Sequence, residues 1–120
     1  MRVREAMQDA ESIGWAQVIL GHTMYRQGQR AQGDHVMSEG LQALTLGKSP
    51  NFLVRAKKRV ADARLRQGRL LEAARLLDEA WQLAEMHHLH GQLVDLERLI
   101  PRTLRVFGQR FRRQQSPPQQ

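Results

Sequence analysis

A chain of 120 residues, 41% of them hydrophobic and 26% charged, has room for one domain or a few stacked repeat units, which excludes a large multi-domain enzyme. It contains no cysteine, which excludes a disulfide framework, a thiolate zinc site and a cysteine nucleophile, and indicates a reducing compartment. No stretch approaches the roughly 18 apolar residues of a membrane span and the chain starts without a leader, so we expect a cytoplasmic protein.

Apolar residues recur every three or four positions along most of the chain, which is the spacing of amphipathic helices. In chain order, we predict helices at about residues 4–27, 29–46, 52–67, 69–87 and 91–113. Gly28 and Gly68 end the first and third of them, because a left-handed residue after a helix costs least without a Cβ. The second helix ends at a turn that contains Pro50, with Ser49 or Asn51 as the cap of the third.

The last predicted helix differs from the others. Its apolar pattern continues past Pro101, where we expect the helix to kink or restart. The chain then ends in a Gln-, Ser- and Pro-rich tail at residues 114–120, which has nothing apolar to bury and is expected to be disordered. The folded domain is therefore predicted to span residues 1–113.

A repeat of forty residues runs through the chain. Gly28, Gly68 and Gly108 are spaced by forty, each near Arg and Gln residues. Small residues that would let two helix backbones approach closely recur at the same spacing, in the pairs Gly21/Ala61, Gly33/Ala73 and Gly40/Ala80. The repeat predicts units at about residues 11–50 and 51–90, followed by a partial unit at 91–113.

The pattern within each unit resembles the tetratricopeptide repeat. With the turn glycine as position 15, the family's usual large and small residues are matched by Val60, Ala61, Gly68, Ala73, Leu77 and Ala80, and by Leu20, Gly21, Gly28, Gly33, Met37 and Gly40. Met24 and Arg64 depart from the pattern at position 11. The forty-residue spacing exceeds the family's usual thirty-four and is similar to that of the sensor repeats of bacterial transcription activators of the maltose-regulator type.

The resemblance implies an all-α fold in which antiparallel helix pairs stack as a short tetratricopeptide-like solenoid with a C-terminal capping helix. It also implies a protein–protein interaction module, part of a bacterial regulatory protein, that binds its partner on a concave face. The resemblance assigns this face to Trp15, Val18, Ile19, His22, Tyr25, Arg26, Arg55, Lys58, Arg59, Asp62 and Arg66.

The face assigned in this way has an apolar end in the first unit and a cationic ladder in the second. Because forked arginines suit carboxylates, we predict that it binds an acidic peptide, either extended or helical. In the alternative interpretation, another part of the chain covers Trp15, Val18 and Ile19, and the cations are simply exposed.

Six arginines and no acidic residue lie between residues 98 and 120, whereas the other 97 residues contain thirteen basic and twelve acidic ones. The six are Arg98, Arg102, Arg105, Arg110, Arg112 and Arg113. A cluster of this kind suits an anionic partner, so binding of nucleic acid through this helix is the alternative function. A solvated terminal helix without any ligand also explains it.

The sequence offers little evidence of chemistry. His87, His88 and His90, with Glu85 nearby, suggest metal ligands, but histidines at a helix C-terminus also interact with the helix dipole. No serine has an evident base partner and no Gly-rich phosphate loop is present. We therefore predict no enzyme, no cofactor and no bound metal.

The number of repeats bears on assembly. About three units are normally needed for a stable stack, and this chain has two and a half. Apolar residues of the last predicted helix must therefore cap the stack or pack against a second copy, and we predict self-association through residues 93–111. These apolar residues are Leu93, Leu96, Leu99, Ile100, Leu104, Phe107 and Phe111.

Overall fold

The computed structural model describes the backbone of residues 3–99 and the side chains of residues 10–98. Over this range the chain forms five α-helices and no strand, which confirms the predicted all-α class. The helices are α1 (Val3–Arg26), α2 (Arg30–Leu46), α3 (Pro50–Arg66), α4 (Leu70–Met86) and α5 (His90–Leu99). The predicted kink at Pro101, the repeat glycine Gly108 and the tail at 114–120 lie outside the described residues.

The turns that follow α1, α3 and α4 share one geometry. Each contains a residue with a left-handed backbone, namely Gly28 (φ 100°), Gly68 (φ 76°) and His88 (φ 55°). The N–H of the next residue donates to the carbonyl five residues earlier, at 2.8 to 3.0 Å, which is the Schellman helix end. The two predicted turn glycines are confirmed. His88 has the same role without being a glycine, at a steric cost of about 1 kcal/mol.

Ser49 caps α3, as the turn residues predict. Its Oγ accepts a hydrogen bond from the N–H of Phe52 at 3.3 Å. Pro50 is the first residue of the helix, where a backbone without an N–H leaves no hydrogen bond unmade.

The helices recur at the forty-residue spacing of the sequence. Helices α2 and α4 each have 17 residues, and they begin and end forty residues apart. Helices α3 and α5 begin forty residues apart, and α1 and α3 end forty residues apart. The sequence repeat is therefore also a repeat of helix positions.

Helices α1 and α2 pack at very short range because glycines face the partner helix. A Cβ built on Gly21 would lie 2.5 Å from the carbonyl oxygen of Gly33 and 2.5 Å from the amide nitrogen of Met37. A Cβ on Gly40 would lie 2.5 Å from the carbonyl oxygen of Gly14. The predicted close approach of the two backbones is confirmed. The matching alanines of the second unit are also buried, namely Ala61, Ala73 and Ala80.

Helix α3 lies at the centre of the described structure and contacts the other four helices. It packs with α1 and α2 around a core that includes Val18, Met37 and Val60. It packs with α4 and α5 around a second core that includes Leu77 and Leu96. Because α3 packs in both cores, its position relative to the other four helices is fixed. The polar side chains on the rest of its surface are held in place by this packing.

Arg64 links three helices from a site that leaves its side chain only 11% exposed. Its Nη1 donates to Asp34 on α2 and to Gln67 Oε1 at 3.1 Å. Its Nε lies 3.4 Å from Oε2 of Glu72 on α4. Acidic partners on both sides of α3 therefore explain why this chain can place an arginine at a buried position of the repeat.

Candidate partner-binding groove

A groove of about 590 Å³ lies on one side of α1, α3 and α5. Most residues predicted to contact a partner line it, namely Trp15, His22, Arg26, Arg55, Lys58, Arg59, Asp62 and Arg66. The groove is completed by Ala61, Leu65, Leu77, Gln92 and Asp95. The fold therefore brings the aromatic residue of the first unit and the cations of the second into one cavity.

Trp15 forms the aromatic end of the groove. Its ring stacks on Phe52, with centroids 5.9 Å apart and planes inclined by 22°. The guanidinium of Arg55 lies 4.6 Å from the centroid of the Trp15 ring. Trp15 is half-buried and also packs against the core of α1, α2 and α3. The ring therefore restrains Arg55 by a cation–π contact as well as lining the groove.

His22, Asp62 and Arg66 form a polar link between α1 and α3. His22 Nε2 lies 2.7 Å from Asp62 Oδ2, and Arg66 Nε donates to the same oxygen at 3.0 Å. Burial acts to raise the pKa of Asp62, but the hydrogen bonds from His22 and Arg66 outweigh burial and lower the pKa below its ordinary value. Asp62 is therefore ionised at neutral pH and offsets the charge of Arg66.

Lys58 links α3 to α5. Its Nζ donates to Gln92 Oε1 at 2.6 Å and lies 3.8 Å from Asp95 Oδ2. Burial is the main cause that lowers the pKa of Lys58; Asp95 acts in the opposite direction, and the charges of Arg55 and Arg59 add to the lowering. Burial in the groove, with a smaller contribution from the neighbouring arginines, therefore disfavours the charged form of Lys58.

The groove has a net positive lining, with five Lys and Arg side chains against two carboxylates. Lys58 and Arg66 each have an acidic partner within it. Among the described residues, no carboxylate pairs with Arg26, Arg55 or Arg59. Within the described part of the chain these three guanidinium groups therefore have no carboxylate acceptor, and their donors suit an anionic ligand.

Three of the predicted contact residues do not line the groove. Val18 is 0% exposed and Tyr25 is 7% exposed, and both belong to the core shared by α1, α2 and α3. Ile19 is half-buried and lies outside the groove lining. The prediction that Val18 and Tyr25 contact a partner is wrong, because both side chains are buried where α2 and α3 pack against α1 within the same chain.

Five groove residues fall outside the predicted contact face, and the two polar ones on α5 are Gln92 and Asp95. Asp95 stands forty residues after Arg55, which itself stands forty residues after Trp15. The repeat therefore carries the signal for Asp95, since these three residues occupy one position in successive units. Extending the assignment of the concave face to the partial third unit would have found it.

The remaining candidate residues lie away from the groove or outside the described residues. Arg98 is exposed near the end of α5, and Arg102, Arg105, Arg110, Arg112 and Arg113 lie outside the described range.

His87, His88 and His90 are exposed at the turn between α4 and α5. In the described part of the chain, no three His, Asp or Glu side chains are grouped as metal ligands would be. Within the same part, no helix has both the length and the apolar character needed to cross a membrane.

Comparisons of the chain with protein-family models, with curated proteins and with solved structures gave no match. The groove and its charges are therefore the basis for inferring the function.

Proposed function

We propose that this chain is a protein–protein interaction module that binds an acidic peptide segment in the groove of α1, α3 and α5, and that it is not an enzyme. The observation that carries the proposal is the excess of cations in the groove, together with the absence of carboxylate partners for Arg26, Arg55 and Arg59 among the described residues. Planar guanidinium groups form paired hydrogen bonds with carboxylates. An acidic peptide would supply the partners that these arginines lack.

The proposed architecture is a short tetratricopeptide-like solenoid in which α5 and the residues after it form a cap. The recurrence of helix ends at forty residues supports this arrangement, and so does the central place of α3 between two cores. Stacked helix pairs present an extended concave surface to partners. A role in a bacterial regulatory protein, which rests on the sequence resemblance, is part of the same proposal.

Charge reversal at Arg59 is the direct test of the groove. Arg59 is exposed, so Arg59→Glu should leave the melting temperature close to that of the wild type. Its affinity for a fluorescein-labelled decapeptide of alternating Glu and Ala should fall by about tenfold to a hundredfold, the equivalent of about 1.5 to 3 kcal/mol for a charged hydrogen bond.

Arg30→Glu is the matched control, because Arg30 is an exposed arginine at the start of α2 outside the groove. It makes the same change in net charge and should weaken peptide binding much less. An equal loss of affinity in the two variants would mean that the peptide responds to overall charge only, and would contradict a binding site in the groove.

Trp15→Ala tests the aromatic end of the groove. Because the ring is half-buried and stacked on Phe52, its removal should lower the free energy of unfolding by about 2 kcal/mol, less than for a fully buried tryptophan. It should also weaken peptide binding, since Arg55 would lose the ring that restrains it. A stability equal to that of the wild type would contradict the packing described for this ring.

The alternative function is binding of nucleic acid through the arginine cluster that begins at Arg98. A salt series with a labelled oligothymidine of twelve nucleotides tests this alternative. Each phosphate contact to a single strand adds about −0.7 to the slope of log affinity against log salt concentration. A steep slope that Arg59→Glu leaves unchanged would favour the arginine cluster over the groove.

A further inference from the structure

Arg55 and Arg59 form a pair of cations on the groove side of α3. Residues four apart lie on one side of a helix, and the helical rise separates them by about 6 Å along the axis. Among the described residues neither has a carboxylate partner. The guanidinium of Arg55 lies over Trp15, which leaves the N–H groups at its edge free to donate.

The other cations of α3 in the groove are already engaged by the chain itself. Lys58 donates to Gln92 and lies near Asp95, while Arg66 donates to Asp62. A ligand would have to displace these partners to pair with Lys58 or Arg66. Arg55 and Arg59 require no such displacement, so among the cations of α3 they are the pair that a ligand's acidic groups can reach directly.

The length of the groove along α3 limits an extended ligand to about five residues. Between Arg55 and Arg66, α3 rises by about 16 Å, and both residues line the groove. An extended chain advances by about 3.3 Å per residue, so about five residues cover this length.

We infer that the groove recognises an extended peptide in which two acidic residues are separated by one other residue, with their carboxylates paired to Arg55 and Arg59. Side chains two positions apart in an extended chain point the same way and lie about 6.6 Å apart, which matches the rise of about 6 Å between the two arginines. Adjacent acidic side chains point in opposite directions. The inference rests on the proposed function and adds the spacing and conformation of the ligand.

A peptide fits this groove better than single-stranded nucleic acid does. Proteins that bind single strands stack successive bases on free aromatic rings. In this groove the ring of Trp15 is already in contact with Phe52 and Arg55. The aromatic end therefore serves to position a cation and offers no free platform for a base.

A set of isomeric peptides tests the spacing. The probes are fluorescein-labelled heptapeptides that contain two Glu and five Ala or Gly residues, with the two Glu adjacent, separated by one residue, or separated by two. Their net charge is the same, so long-range attraction does not distinguish them. The isomer with one intervening residue should bind the full chain about tenfold more tightly than either other isomer. Arg55→Gln or Arg59→Gln should abolish this preference, and the control Arg30→Gln should retain it.

Each other result overturns the inference in a distinguishable way. Equal affinities of the isomers would refute the spacing while the proposed function stands. Tightest binding by a lactam-bridged helical peptide with Glu residues four apart would refute the extended conformation. Tighter binding of oligothymidine than of any peptide would identify nucleic acid, and not a peptide, as the ligand of the groove. Failure of every acidic peptide to bind would overturn the proposed function and the inference together.

Discussion

Replacing Gly21 by alanine tests whether the spacing of α1 and α2 depends on glycine. The new Cβ would lie 2.5 Å from backbone atoms of Gly33 and Met37, where ordinary contacts begin at 3.4 Å. Backbone atoms cannot rotate away, so α2 must move by about 1 Å, which forfeits a quarter to a half of the dispersion energy at the contact. Overpacking of this kind costs up to about 3 kcal/mol. The higher helix propensity of alanine returns about 0.5 to 1 kcal/mol. The expected net loss is about 2 kcal/mol.

Urea denaturation followed by circular dichroism measures this loss, which corresponds to a fall in melting temperature of roughly 8 °C for a domain of this size. Gly91→Ala in α5 is the control, because a Cβ there meets nothing within 4 Å. That variant should be stabilised by up to about 1 kcal/mol. If Gly21→Ala proves as stable as Gly91→Ala, the close contact between α1 and α2 does not cause the expected loss of unfolding free energy.

His88→Gly should stabilise the chain by about 0.5 kcal/mol in thermal denaturation, because the steric cost of the left-handed backbone is removed while glycine has more freedom in the unfolded chain; a lower melting temperature would contradict this. The pKa of Asp62 lies below its ordinary value of 3.8, so its ionised form contributes stability above that pH, and the contribution is lost as the pH falls through the folded-state pKa. The stability difference between the wild type and Asp62→Asn should therefore shrink on acidification below about pH 4, whereas a difference independent of pH would refute the link with His22 and Arg66. Self-association through residues 93–111 should appear in sedimentation as a mass that rises with concentration, and a strict monomer from micromolar to near-millimolar concentration would exclude it.

The helix ends were predictable because local chemistry determines them. Gly28 and Gly68 supply the left-handed residue of a turn, and Ser49 followed by Pro50 starts a helix, without help from distant residues. The turn between α4 and α5 uses the same backbone geometry with His88. Histidine adopts this backbone more often than most non-glycine residues, but glycine adopts it without steric cost, so the sequence did not mark His88 for this role.

The groove was predictable to the extent that it follows the repeat. One face of the leading helices includes Trp15, Arg55 and Asp95, and the period of forty identifies it. Val18 and Tyr25 were misplaced because an apolar residue that binds a partner and one that packs in the core have the same sequence signature. Only the packing of α2 and α3 against α1 distinguishes them, and that packing depends on residues distant in the sequence.

The ion pairs of Arg64 with Asp34 and Glu72 have a consequence for the way the molecule opens. They join α3 to a helix of the first pair and to a helix of its own pair, so separating the two pairs would break the ion pair with Asp34 and leave Arg64 with Glu72 alone. Loss of a buried ionic partner is costly, which suppresses independent opening of either pair. We expect the slowest-exchanging amide hydrogens of α1 to α4 to share a single opening free energy, as in one cooperative unit.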